Sequence, residues 1–266
     1  MPIPNTKVLL NSTLLAGGGF TLTPNAAGDF SPALTGVASA SWVAGVGDLN
    51  GDGVADIAIG SAGDDDKAVD AGRIFVTLSS FAAGTTHGIA DALPGSLIID
   101  GVNAGDMAGS SIAGIADMNG DGMGELLIGA PGMARGAAAD AGAAFVVWGD
   151  SLPGGVDLND PFTGGGKGYA IKGQSAGDMA GTVVLSVGDM NGDGIADVLV
   201  GAPGQDAGGL DAGAAYVVWG KTTDSIVQLT NVAAGTGGFK IIGADGGDAI
   251  GSAMAVLGDQ NGDGKA

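Results

Sequence analysis

The chain has no cysteine, one histidine (His87), one glutamate (Glu125), two tyrosines, and nine basic residues against 29 acids. Each scarcity excludes something. Without cysteine there is no disulfide framework and no thiolate metal site, and the redox state of the compartment is left open. No window approaches 18 uninterrupted apolar residues, so no membrane-spanning helix is expected. A formal charge of −20 repels nucleic acid and anionic membrane surfaces. The first residues, MPIPNTKVLL, lack a basic region followed by a long apolar stretch, so no ordinary secretory signal is read there. With one glutamate, 28 of the 29 acids are aspartate. A solvated helix face carries Glu, Lys and Arg, whereas Asp favours caps and turns. The acids therefore argue against an α-helical protein, and for many turns or for carboxylates with a specific task.

What is present is apolar and repetitive. Hydrophobic residues make up 45% and the mean hydropathy is +0.35, which excludes a charge-rich disordered chain. The 55 glycines follow no G-X-Y period, which excludes collagen. Four strings are near copies: DLNGDGVAD from Asp48, DMNGDGMGE from Asp117, DMNGDGIAD from Asp189 and DQNGDGKA from Asp259, at spacings of 69, 72 and 70 residues. The first three lead into IAIGSAG (57–63), LLIGAPG (126–132) and VLVGAPG (198–204). After Asp70, Asp140 and Asp211 come AGRIFVTL, AGAAFVVWG and AGAAYVVWG, then SLIIDG, YAIKG and FKIIG. GDMAGSSIAGIAD, GDMAGTVVLSVGD and GDAIGSAMAVLGD then feed the next loop.

Each period thus holds four short segments rich in Val, Ile, Leu and aromatics, separated by Gly, Asp, Asn and Pro, which is strand and turn chemistry. No stretch has room for a ten-residue amphipathic helix. Four strands in about 70 residues fit one β-propeller blade. The expectation is an all-β fold, a partial propeller over residues 1–266. An N-terminal closing strand and an insertion occupy 1–36. Blades occupy 37–101, 108–173 and 180–243, and 244–266 starts another. The closing strand is read from the alignment of 8–22 with 227–241, and the insertion from eight extra residues around PALTGVAS. Trp148 and Trp219 end matching strands and are expected to pack between blades or at a blade edge.

The loops carry hard oxygen donors at positions 1, 3, 5 and 9. In the first these are Asp48, Asn50, Asp52 and Asp56, with the Val54 backbone carbonyl at position 7. The second set is Asp117, Asn119, Asp121, Met123 and Glu125, and the third Asp189, Asn191, Asp193, Ile195 and Asp197. Asp259, Asn261 and Asp263 begin a fourth set cut at Ala266. Glycines at positions 4 and 6 permit the tight backbone that turns alternate residues inward. With no His or Cys among the donors, the set suits Ca²⁺ better than zinc or copper, and Mg²⁺ would demand a stricter octahedron. An EF-hand is excluded, because its Glu at position 12 is here Ile59, Ile128 and Val200. Glu125 replaces Asp at position 9, with a longer arm that can still chelate. Three complete sites are expected, and three ions would move the charge from −20 to −14.

The combined pattern, D-x-N-x-D-G-x-x-D followed by a G-A-P turn at Gly129-Ala130-Pro131 and Gly201-Ala202-Pro203, resembles the FG-GAP repeats of integrin alpha-chain propellers. Similar repeats occur in bacterial integrin-like proteins, among which this chain is expected, and in the propeller of glycosylphosphatidylinositol-specific phospholipase D. The turn is degraded to Gly60-Ser61-Ala62 in the first repeat, and the "FG" half survives only as Ala108-Gly109, Ala180-Gly181 and Ile250-Gly251. The resemblance implies a seven-bladed propeller, of which this chain is a little over half. It also implies calcium loops on one face and ligand engagement on the other, where Asp64, Asp65, Asp66, Lys67, Met133, Arg135, Gln205 and Asp206 lie.

Catalysis finds little support: no Ser or Cys nucleophile has a base beside it, and neither G-x-S-x-G nor a P-loop is present. The expected function is a non-enzymatic, calcium-binding propeller for cell adhesion or binding of an extracellular protein or glycan, located outside the cell or on its surface. The alternatives are the non-catalytic propeller of a larger secreted enzyme, phospholipase D-like or a glycosidase, and a purely structural calcium-stabilised array.

Overall fold

The computed structural model describes residues 8–9, 21–23, 43–78, 86–88, 96–154, 156, 158 and 167–257. Three short strands, β1 (Val8–Leu9), β2 (Thr21–Thr23) and β6 (Thr86–Gly88), form a small sheet of their own in the order β1-β2-β6. The remaining strands build three larger sheets. The first runs β3 (Val43–Gly47), β4 (Asp56–Ser61), β5 (Arg73–Thr77) and β7 (Ser96–Asp100), each antiparallel to the next. The second runs β8 (Ser111–Ile115), β9 (Glu125–Ala130), β10 (Ala143–Val147) and β11 (Gly168–Lys172). The third runs β12 (Val184–Gly188), β13 (Asp197–Ala202), β14 (Ala214–Val218) and β16 (Gly238–Ile242). These four-strand meanders match the repeat of the sequence and are propeller-like. The insertion around PALTGVAS and the fourth loop (Asp259, Asn261, Asp263) lie outside the described residues, as does most of the expected N-terminal strand.

The two middle strands of the second sheet, β9 and β10, are buried along their whole length. A strand covered on both faces has no reason to alternate polar and apolar, which explains the continuous runs ELLIGA and AAFVV. The sheets stack through their first strands, with β8 packed between β3 and β12. Close stacking needs small residues. Gly142 sits at φ +76° and bridges Ala180 of the next repeat, and a Cβ there would lie 2.1 Å from the Ala180 carbonyl oxygen. The same parallel bridge recurs at Gly72–Ala108 and Gly213–Ile250.

One feature was not expected from the sequence. The connection after β10 opens with a 3-10 turn, Gly149–Gly154, and Leu152 within it and Leu158 beyond it are buried in one core with Ile74, Val76 and Ile99 of the preceding sheet. The connection after β14 forms β15 (Val227–Gln228) and a one-turn helix, α1 (Leu229–Ala233). β15 adds to the second sheet as a fifth, parallel strand beside β11, while α1 packs on β14 and β16 and places Leu229 and Val232 in the core shared by the second and third sheets. Each repeat therefore reaches back to cover the outer strand of the one before. Trp148 is 4% exposed in this second core and meets Tyr169 edge-on at 5.8 Å, as expected of a packing residue. Trp219 makes the matching contact with Phe239 at 5.7 Å.

Candidate metal centres

The three described Asp loops each join the first strand of a sheet to the second, and they share one backbone plan. In the first, Asp48 Oδ1 accepts the Gly51 N–H at 2.7 Å and Oδ2 accepts that of Gly53 at 2.7 Å. Asn50 Oδ1 accepts the Asp52 N–H at 3.0 Å, and Asp52 Oδ1 accepts that of Val54 at 2.8 Å. The second loop repeats these bonds at Asp117, Asn119, Asp121 and Met123, and the third at Asp189, Asn191, Asp193 and Ile195. Gly51 and Gly53 hold φ values of +74° and +82°, a region that costs L-residues dearly. Donors at positions 1, 3 and 5 thus lie on one tight coil. Position 7 is tied to the carboxylate of position 5.

Position 9 stands at the head of the second strand and is buried. Asp56 Oδ2 accepts the Leu49 N–H, Glu125 Oε2 that of Met118 and Asp197 Oδ2 that of Met190, each at 2.8 Å. Leu49 and Met118 plug the cores between sheets, so the carboxylate clamps the loop to the packed interior. The second oxygens differ. Asp56 Oδ1 and Glu125 Oε1 are buried without a hydrogen-bond partner, whereas Asp197 Oδ1 accepts the Gly220 N–H at 2.8 Å.

The electrostatics follow from this placement. Burial pushes the Asp56 carboxyl up to about 6, against the Leu49 N–H, with Asp52 and Asp48 adding repulsion. Burial pushes Glu125 up to about 8, against the Met118 N–H, with Asp117 and Asp121 adding repulsion. Asp197 is also raised by burial, opposed by the N–H groups of Gly220 and Met190. Backbone donors, led by Gly53, hold Asp48 below its ordinary value, against a smaller opposing effect of burial. A buried acid beside two others is costly to ionise, and a divalent cation on the same oxygens removes that cost. The donor set and the orphaned oxygens fit a hard cation.

The described loops are not identical. Asp117, Asp121 and Glu125 bring one oxygen each to within 4.8 Å of one another, the one such acidic cluster among the described residues. The strand pairing differs as well. In the first and third sheets the ladder breaks between Gly45 and Gly47 and between Ser186 and Gly188, so Gly47 faces Asp56 and Gly188 faces Asp197. Gly47 and Gly188 sit at φ +77° and +72°. In the second sheet Ala116 stands where the others have glycine, and the ladder runs unbroken to Ile115 opposite Glu125. The position-9 residue is thus set one pairing step differently, and its side chain is one methylene longer.

The opposite face is largely occupied with building its own turns. Arg73 Nε donates to Asp100 Oδ1 at 2.6 Å, and its guanidinium also pairs with Asp64 and Asp66. Asp65 and Asp206 accept the Asp70 and Asp211 N–H at 2.7 and 2.9 Å. Arg135 donates to the Gln174 carbonyl at 3.2 Å, while Gln205 is buried and its Oε1 accepts the Ala207 N–H at 2.9 Å. Met133 is half-buried against the first core, and Lys67 is exposed. Val69 and Leu210 stand bare at matching loop tips, 65% and 76% exposed. Their carbonyls accept the Gly105 and Gly247 N–H of the next repeat at 2.9 Å, which fixes the tips. Sequence reading singled out neither, nor the role of Asp106, Asp178 and Asp248. Those three cap the turns before each lead-in, accepting the Asn103, Ser175 and Asp245 N–H at 2.8, 2.9 and 2.9 Å. The recurrent Gly-Asp pair there was the available signal.

Comparison with known proteins agrees with the resemblance. The family model of the FG-GAP repeat matches residues 40–77 and 181–218, the stretches that contain the first and third Asp loops. Phosphatidylinositol-glycan-specific phospholipase D of Rattus norvegicus is 31% identical over 121 residues, covering 44% of this chain and 14% of the relative. The enzyme of the same description from Mus musculus is 33% identical over the same length. Integrin alpha-5 of Xenopus laevis is 32% identical over 165 residues, 60% of this chain and 14% of the relative. The chain therefore contains FG-GAP repeats and spans about a seventh of each of these relatives. No helix among the described residues is long and apolar enough to cross a membrane.

Proposed function

We propose that these FG-GAP repeats are a calcium-binding, non-enzymatic stretch of a seven-bladed extracellular propeller that mediates adhesion or protein binding. The observation that carries the reading is the convergence of Asp117, Asp121 and the buried Glu125, whose Oε1 has no protein partner. The ligands are those named above: Asp48, Asn50, Asp52, the Val54 carbonyl and Asp56, with their counterparts in the second and third loops. Asp259, Asn261 and Asp263 begin a fourth set. Bound calcium would supply charge neutralisation and fix each loop to the core through position 9.

Further blades are supported by the outer strand of the third sheet, where Phe239, Ile241 and Ile242 are exposed, whereas the matching strand of the second sheet is covered by the following repeat. The loop tips with Val69 and Leu210, set among Asp65, Asp66 and Asp206, are the proposed ligand face. An apolar side chain on a fixed backbone contributes to binding at little entropic cost. A second reading, the non-catalytic propeller of a larger secreted enzyme, is favoured by the similarity to the phospholipases. Both readings require the metal. Native mass spectrometry of the chain in calcium should show at least three ions per molecule, and none after chelation. Adhesion adds a second requirement: capture of an extracellular ligand that is lost on Val69→Asp and Leu210→Asp exchange while calcium binding is kept. A chain that retains no calcium contradicts the proposal.

A further inference from the structure

The three described loops differ in ways that bear on how they fill. Only the second brings its three carboxylates together, with its Glu125 fully buried and one oxygen unclaimed. The first keeps an unclaimed oxygen on Asp56, but its carboxylates are not gathered as closely. In the third, both oxygens of Asp197 are already used, by Met190 and Gly220. A cation entering the third loop must share or displace a hydrogen bond, whereas in the second it meets an oxygen that nothing else satisfies. Affinity in carboxylate sites follows the number of charged ligands and how far they are pre-organised.

The difference is traceable to one backbone position. Gly47 and Gly188 adopt positive φ and break the ladder before the loop, and Asp at position 9 follows. Ala116 meets a ladder without that break, and Glu125 follows. An alanine at φ near +75° would be strained, so the second repeat forgoes the bulge and reaches inward with a longer side chain instead.

On the reading that these loops hold calcium, we infer that they are a graded set. The Asp117–Glu125 loop fills first, Asp48–Asp56 next and Asp189–Asp197 last, and Glu125 in an unbulged ladder makes the second loop the strong one. Calorimetric titration of the full chain with calcium chloride tests this, in an Asp259→Asn, Asp263→Asn background that silences the fourth loop. The expected isotherm resolves classes of sites with the tightest and weakest about tenfold or more apart. Asp121→Asn deletes the tightest class and Asp193→Asn the weakest. These exposed side chains can be changed without disturbing the core. Glu125→Asp weakens the tightest class, and Ala116→Gly added to it restores binding to the level of the first loop. A single class of equal sites, or loss of the tightest class on Asp193→Asn, would overturn the ranking while leaving calcium binding intact. No calcium binding in any chain would instead refute the functional reading itself.

Discussion

Two outer strands with the same place in the repeat meet different fates. In β11, Tyr169 and Ile171 are fully buried; in β16, Phe239, Ile241 and Ile242 are 39%, 49% and 47% exposed. Composition does not explain the contrast, since GYAIK and GFKII are close variants. The difference is the cover: β15 of the next repeat pairs with β11, whereas among the described residues no strand pairs with the outer edge of β16. A sheet in this chain does not bury its own outer strand. It depends on the next repeat, so stability is a property of interfaces and not of single blades.

The contrast can be broken most severely at the close approach that holds the covered side. Gly142→Val puts a Cβ against the Ala180 carbonyl at a positive φ, and both costs fall on backbone. A loss of about 4 kcal/mol or more is expected, read as a collapse of the denaturant midpoint. Loosening the core shared by the two sheets is next. Leu229→Ala should cost about 2–5 kcal/mol and make Trp148, which packs in the same core, accessible to an aqueous quencher. On the bare side, Phe239→Ser forfeits little beyond its edge contact with Trp219 and should cost under about 1.5 kcal/mol. It should also lower self-association in sedimentation velocity, and a cost equal to that of Leu229→Ala would erase the contrast.

The smallest effect is a pH dependence at the rim of the covered side. Lys221 lies 4.5 Å from the Tyr169 ring centre, and burial lowers its ammonium to about 8, opposed by Asp224. A lysine lowered in the folded state is penalised while charged. The penalty is full below about 8 and is relieved as pH rises towards the ordinary value of 10.5. Relative to Lys221→Met, the parent chain should therefore gain stability between pH 8 and 10.5, by under about 1 kcal/mol because the amine is half in solvent. A parallel pair of stability curves across that window would show that burial of the amine has no energetic weight.

Much of the strand plan was legible because its signals are local. LLIGA, AAFVV and YAIK are short and rich in aliphatic and aromatic residues, are bounded by Gly and Asp, and repeat in register. The loop ligands were legible for the same reason, as alternate oxygens separated by glycines. What stayed hidden depends on partners far along the chain. Nothing in LTNVA announces that Leu229 and Val232 enter the core shared by the second and third sheets. The Glu125 exchange reads as conservative until the ladder shows Ala116 opposing a bulge. The acidic loop Asp64–Asp66 reads as a free surface, yet Arg73 draws two of its carboxylates inward.

On the proposed reading, divalent metal at the Asp loops ties each repeat to its neighbours' cores. Differential scanning calorimetry of the chain in calcium and in EDTA tests it most directly. A site held at a hundred times its dissociation constant adds about 2.7 kcal/mol to stability. The melting temperature should therefore rise markedly with calcium, and the rise should shrink with each of Asp52→Asn, Asp121→Asn and Asp193→Asn. Superimposable melting curves in calcium and EDTA would contradict the account.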